Sequence, residues 1–155
     1  MPELNHLPSV EDLLPHRGTM LLLDRLISFE SKSITSEYVP NEDAWYADEQ
    51  GNMPSWIGIE LMAQTVAAHA GVLKRAESAP LKQGVLLGTR RYTSTQPAFA
   101  AGETLRVQAK IIYRDTAGFV AYECGISVRG KEVANAMLKV FEPDDFQTFL
   151  LTNQL

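Results

Sequence analysis

The stretch Pro54-Ser-Trp-Ile-Gly-Ile-Glu-Leu-Met-Ala-Gln-Thr-Val-Ala-Ala-His-Ala-Gly-Val-Leu73 decides the fold. Pro54 and Ser55 have the composition of a helix start, with Ser55 as the cap, and the pattern predicts a helix from about Ser55 to Leu73. Ile57, Ile59, Leu61, Met62, Val66, Ala67, Ala70 and Leu73 leave no continuous polar side, so the helix belongs inside a core. Its length approaches that of a membrane span, but Glu60, Gln64 and His69 interrupt it, which favours a soluble core helix. Glu60 and Gln64 stand four residues apart, on one face. A carboxylate is costly to bury among apolar neighbours, so Glu60 is the first candidate for chemistry.

Upstream of this helix, Ser9 to Leu14 reads as one helical turn, capped by Ser9 and ended by Pro15. Pro15-His-Arg-Gly18 turns the chain into a strand from Met20 to Phe29, and Ser33 to Val39 forms a second. Asn41 to Met53 is a loop with Trp45 and Tyr46 as its apolar anchors. Downstream, Lys74 and Arg75 complement the helix dipole, and Glu77 to Gln83 is a connector. Strands follow at Gly84 to Thr93, Thr104 to Asp115, Val120 to Val128 and Lys131 to Phe141. In the second of these, Leu105, Val107, Ala109, Ile111 and Tyr113 share one face. Arg129-Gly-Lys131 is a hairpin turn, and Glu142 to Leu151 is a short closing helix.

This order predicts a single α+β domain over residues 1–155, an antiparallel sheet curled around one helix. Apolar residues left on the outer face of the sheet imply a second copy to cover them. A 155-residue chain that is 45% hydrophobic suits one compact core. The formal net charge of −5 argues against a general nucleic-acid binder. One cysteine, Cys124, gives no disulfide framework and no metal spacing, and it reads as core. The N-terminus, Met-Pro-Glu-Leu-Asn-His6, carries no basic region or apolar run, so the expectation is a cytoplasmic protein without membrane attachment.

Leu13-Leu-Pro-His-Arg17, Leu21-Leu-Leu-Asp-Arg25 and Pro54-Ser-Trp-Ile-Gly-Ile-Glu-Leu-Met-Ala-Gln64 together resemble the hotdog-fold 3-hydroxyacyl-acyl-carrier-protein dehydratases of fatty acid synthesis. The likeness extends over the later strands and is greatest to the divergent dehydratase-like subunits of aryl polyene and related polyketide-type pathways. It implies a hotdog fold, a homodimer or a heterodimer with a related hotdog dehydratase, and acyl tunnels at the subunit interface. The implied partners are an acyl carrier protein or a coenzyme A thioester, with no separate cofactor, because the phosphopantetheine thioester enters as part of the substrate.

Carried over by position, Glu60 stands where the family has its catalytic carboxylate and Gln64 where it has a supporting glutamine. Ser55 stands at the helix start, where a backbone amide polarises the thioester carbonyl, and Trp56 follows it in the substrate-binding set. The family's catalytic histidine has no counterpart: its loop here reads Trp45-Tyr-Ala-Asp-Glu-Gln-Gly-Asn-Met53. Dehydration needs a base for the α-proton as well as an acid for the departing hydroxyl, and loss of the base removes a factor of about 10² to 10⁴. Asp48 and Tyr46 lie in the altered loop as polar stand-ins. His16 occupies a turn that the family also carries, away from its catalytic pair, and reads as structural. His69 is about 13.5 Å along an ideal helix from Glu60 and reads as a satisfied core or interface histidine. Asp24 and Arg25 also read as structural. Arg90, Arg91 and Arg106 are either a solvated face or a basic patch for an acidic carrier protein. Three functions stay open: a dehydratase-type hydro-lyase, a thioesterase using Glu60, and a half-site or non-catalytic subunit completing a related dehydratase.

Overall fold

The computed structural model describes residues 7–76 and 85–142. After the short helix α1 (Val10–Leu13) come β1 (Arg25–Glu30), β2 (Ser33–Tyr38), a two-residue strand β3 (Met53–Pro54) and the long helix α2 (Ile57–Ala76). The remaining elements are β4 (Val85–Ser94), another two-residue strand β5 (Ala98–Phe99), β6 (Leu105–Arg114), β7 (Phe119–Val128) and β8 (Lys131–Phe141). Six strands form one antiparallel sheet in the order β1-β2-β6-β7-β8-β4, and β3 pairs with β5 in a separate small ladder. This is the hotdog arrangement, with α2 as the enclosed helix.

The core forms where α2 meets the concave face of the sheet. Ile57, Leu61, Met62, Val66, Ala68 and Val72 of the helix are buried, as are Leu105, Val107 and Ala109 of β6 and Val120, Tyr122, Cys124, Ile126 and Val128 of β7. Period-two alternation in the strands supplies one wall and the all-round apolar helix supplies the filling. Burial among these groups pushes the Cys124 thiol up to about 12, so it packs as an inert apolar residue.

Several expected boundaries shift, each for a local reason. The helix begins two residues later than Ser55 because the Ser55 amide donates to the Pro97 carbonyl at 3.0 Å, extending the β3–β5 ladder. It runs on past Leu73 to Ala76. Ser9 is the N-cap of α1, but its side chain makes no capping bond. The expected strand from Met20 is replaced by a 3₁₀ turn (Gly18–Met20) and an irregular run, and the ladder begins only at Arg25. The Leu22 and Leu23 amides are taken there by a side chain of α2. In β6 a register shift between Ile111 and Tyr113 turns Tyr113 outward, away from the face it was expected to share.

Trp45 is 55% exposed and does not anchor its loop from within; Tyr46 does. The outer side of β6 carries Arg106, Gln108 and Lys110, so the apolar outer residues expected there are confined to the end of the strand that holds Ile112 and Tyr113. The large exposed apolar side chains are Met20, Trp45 and Trp56 in the segments flanking α2 and Ile112, Tyr113 and Phe119 in the β6–β7 region. The expected connector and closing helix (residues 77–83 and 143–151) and the N-terminal hexapeptide lie outside the described residues. No helix among the described residues is long and apolar enough to cross a membrane.

Candidate active site

Glu60 sits in the first turn of α2, and Gln64 lies one turn on. The Gln64 side chain is fully buried and uses its hydrogen-bonding capacity on both sides. Its Oε1 accepts from the amides of Leu22 (3.0 Å) and Leu23 (3.4 Å), while its Nε2 donates to the Met20 carbonyl (2.7 Å) and to Glu60 Oε1 (3.0 Å). The two amide donors fix which end of the carboxamide is oxygen. Glu60 Oε1 is therefore a hydrogen-bond acceptor, and a proton on this carboxyl belongs on Oε2. Oε2 has no partner among the described residues, which leaves it available to a reacting group.

His16 is also at the site, contrary to the expectation that its turn lies away from the carboxylate. Its Nε2 stands 3.4 Å from Glu60 Oε1 within the same protomer. The turn that carries it is tied by Arg17, whose Nη1 donates to the Leu14 carbonyl at 2.5 Å and to the His16 carbonyl at 2.6 Å. Gly18 follows with φ +60, a left-handed conformation that glycine adopts without strain. No sequence pattern announces the approach of His16. It follows from Gln64 binding the segment just after the Pro-His-Arg turn to the face of α2 that bears Glu60.

The single protomer does not enclose Glu60: its side chain is 42% exposed. The narrow tunnel expected around it is thus not built by one chain. An open surface pocket of about 360 Å³ is lined by Val39, Pro40, Asn41, Glu42, Ala101 and Gly102, none of which is a candidate site residue.

The helix start is held from the sheet edge. In β4, a register shift between Arg90 and Thr93 accompanies Arg91 at φ 55. Between them, Tyr92 reaches inward, and its hydroxyl donates to the Ser55 carbonyl. Gly58 makes this approach possible, since a Cβ there would lie 2.5 Å from the Tyr92 hydroxyl. With the Ser55 amide given to Pro97, it cannot also polarise a carbonyl in this conformation, which corrects the role expected for it. The next two amides, of Trp56 and Ile57, have no acceptor among the described residues, and the Trp56 side chain is exposed beside them.

The loop residues proposed as substitutes for the missing histidine are otherwise engaged. The Tyr46 hydroxyl bonds that of Tyr38 and accepts from the Asn41 amide at 3.0 Å. Burial is the first cause of the strong upward shift of the Tyr38 phenol, with the Tyr46 hydroxyl second. Asp48 Oδ1 accepts from the Gln50 and Asn52 amides, both at 2.9 Å, closing its own loop. Both are structural here.

His69 is a satisfied core histidine: Nδ1 lies 2.8 Å from the Tyr122 hydroxyl and Nε2 lies 3.0 Å from the Glu30 carbonyl. Asp24 Oδ2 accepts from the Val39 amide and Arg25 pairs with Glu37 at 3.1 Å, so both act structurally. Arg106 approaches Glu37 at 3.8 Å, whereas Arg90 and Arg91 are exposed and form no ion pair among the described residues. Among the described residues no three His, Cys, Asp or Glu side chains are grouped to hold a metal.

The comparisons with known proteins agree with this fold. The sequence matches the ApeP-like family, described as ApeP dehydratase, over residues 8–151. Among solved structures, the dehydratase heterocomplex ApeI:P from Xenorhabdus doucetiae aligns at TM-score 0.85 with 26% identity, covering 94% of this chain and 98% of that one. A hypothetical thioesterase with coenzyme A from Streptococcus pneumoniae aligns at TM-score 0.62 with 13% identity, covering 76% of this chain and 84% of that one. The smu.793 protein of Streptococcus mutans bound to acetyl CoA aligns at TM-score 0.63 with 15% identity, covering 83% of this chain and 94% of that one. At such identities the latter two show a shared fold. No curated protein matches the sequence.

Proposed function

This chain belongs to the ApeP-like dehydratase family, and from that membership we propose that it is the carboxylate-donating subunit of a 3-hydroxyacyl-thioester dehydratase in aryl polyene-type biosynthesis. The observation that carries the reading is the Glu60–Gln64 pair: Oε1 held as an acceptor at 3.0 Å, Oε2 unpartnered. In the reaction a base removes the α-proton at C2 of the acyl chain, and the C–H electrons form the C2–C3 double bond. The C3–O bond breaks as Glu60 Oε2 delivers its proton to the departing hydroxyl, giving water and an enoyl thioester. The proton taken up by the base equals the one lost by Glu60, so a single proton return resets the site.

The base for the α-proton comes from a second subunit. Tyr46 and Asp48 bond within their own loop, and Glu60 is left part-exposed by its own protomer. The solved dehydratase heterocomplex ApeI:P supports a related dehydratase as that partner, and a histidine on it would supply the base. The Trp56 amide, without an acceptor among the described residues and on an exposed residue, replaces that of Ser55 as the donor for the thioester carbonyl. Trp56 flanks the acyl thioester, and the exposed Arg90 and Arg91 suit the phosphate of phosphopantetheine or an acidic carrier protein.

Dehydration and hydrolysis assays on carrier-bound 3-hydroxyacyl thioesters test this. The chain alone should turn over poorly, and a His-bearing homologue should restore enoyl formation. Vigorous dehydration by the isolated chain, or hydrolysis as the main reaction, contradicts the proposal.

A further inference from the structure

We propose that His16 is a positioning residue for Glu60, holding the carboxyl through Nε2 from within the same protomer; the proposal rests on Glu60 acting as the acid. The buried His69 and the part-exposed His16 differ in how their ring nitrogens are partnered. At His69 both ring nitrogens are paired, with the Tyr122 hydroxyl and the Glu30 carbonyl, as a histidine serving only the fold requires. At His16, Nδ1 is buried without a partner among the described residues, and Nε2 lies 3.4 Å from Glu60 Oε1. The contact with Glu60 is what that placement yields.

The donor direction follows from Gln64. Because the Leu22 and Leu23 amides hold its oxygen, its Nε2 must donate to Glu60 Oε1. A second group meeting the same oxygen while the carboxyl proton resides on Oε2 must also donate. His16 then carries its hydrogen on Nε2, facing Oε1. Two segments, the Pro-His-Arg turn and α2 itself, thereby meet the same carboxyl oxygen. The contact is longer than an ordinary hydrogen bond, as catalytic contacts often are before substrate closes the site. Displacement of a reacting group by about 1 Å costs on the order of 10²-fold in rate.

The test is made in the complex with a His-bearing homologue, assaying enoyl formation from a carrier-bound 3-hydroxyacyl thioester. His16→Phe keeps a planar ring and removes the donor. It should lower kcat by about 10- to 10²-fold with KM changed little. His16→Gln places an amide donor at a similar reach and should restore most of the loss, with both complexes assembling normally in sedimentation. Full kcat in His16→Phe, or equal losses in both variants, overturns the proposal. Glu60→Gln in the same assay reports on the acid itself, so retained turnover there defeats the functional reading rather than the His16 contact. Independently of activity, ¹⁵N ring resonances of His16 should show the Nε2–H tautomer and should shift on Glu60→Gln. The Nδ1–H tautomer, or indifference to that substitution, overturns the proposal even where no turnover is found.

Discussion

The Gln64 carboxamide donates to Glu60 Oε1 at 3.0 Å while its own oxygen accepts from the Leu22 amide at the same distance. One side chain thereby fixes the proposed acid and docks the segment after the Pro-His-Arg turn onto α2. Gln64→Leu would strand the buried Leu22 and Leu23 amides. At about 1–3 kcal/mol for each unsatisfied buried group, the loss should be on the order of 2–5 kcal/mol. Urea unfolding measures it, and a cost under about 1 kcal/mol would show that water or a shifted backbone replaces the carboxamide.

A second prediction concerns the helix start. A Cβ on Gly58 would meet the Tyr92 hydroxyl at 2.5 Å and Ile126 Cδ1 at 3.0 Å, and that hydroxyl is pinned by the Ser55 carbonyl. Gly58→Ala should destabilise by about 1–3 kcal/mol through overpacking. Tyr92→Phe removes the nearest clashing atom, so Gly58→Ala should cost less in that background. A double-mutant cycle with no coupling between the two positions would contradict this geometry.

A third concerns acid. Burial, opposed by the hydrogen bond to the Glu30 carbonyl, lowers the affinity of His69 for a proton below that of an ordinary histidine near 6.5. The unfolded chain therefore takes up the proton first as pH falls. The stability His69 contributes is complete above about pH 6.5 and is lost progressively below it. Denaturation midpoints between about pH 7.5 and 5.5 should fall for the unmodified protein and fall less steeply for His69→Gln. Parallel slopes would mean that other groups govern the acid limb.

Much of this was legible in the residues. The all-round apolar run from Ile57 and the alternation in β6, β7 and β8 led to the hotdog arrangement because burial leaves such patterns few alternatives. The i,i+4 spacing of Glu60 and Gln64 placed the two on one face. What failed to show were relationships between distant segments. The Pro97 carbonyl claims the Ser55 amide, Gln64 takes the Leu22 and Leu23 amides from the expected strand, and His16 reaches Glu60, all across more than 40 residues of chain. A side chain that diverts a backbone donor leaves no periodic signature. The outer face of the sheet is mixed: Arg106, Gln108 and Lys110 are polar, while Ile112, Tyr113 and Phe119 gather the exposed apolar groups at one end of β6 and β7.

The central claim is that Glu60 supplies the acid to a site completed by another subunit. The most direct measurement compares enoyl-thioester formation by the unmodified chain and by Glu60→Gln, each mixed with the same His-bearing homologue. The account predicts equal complex formation and a fall of at least about 10²-fold in kcat for the Glu60→Gln complex. A complex of Glu60→Gln that dehydrates its substrate at the unmodified rate would contradict it.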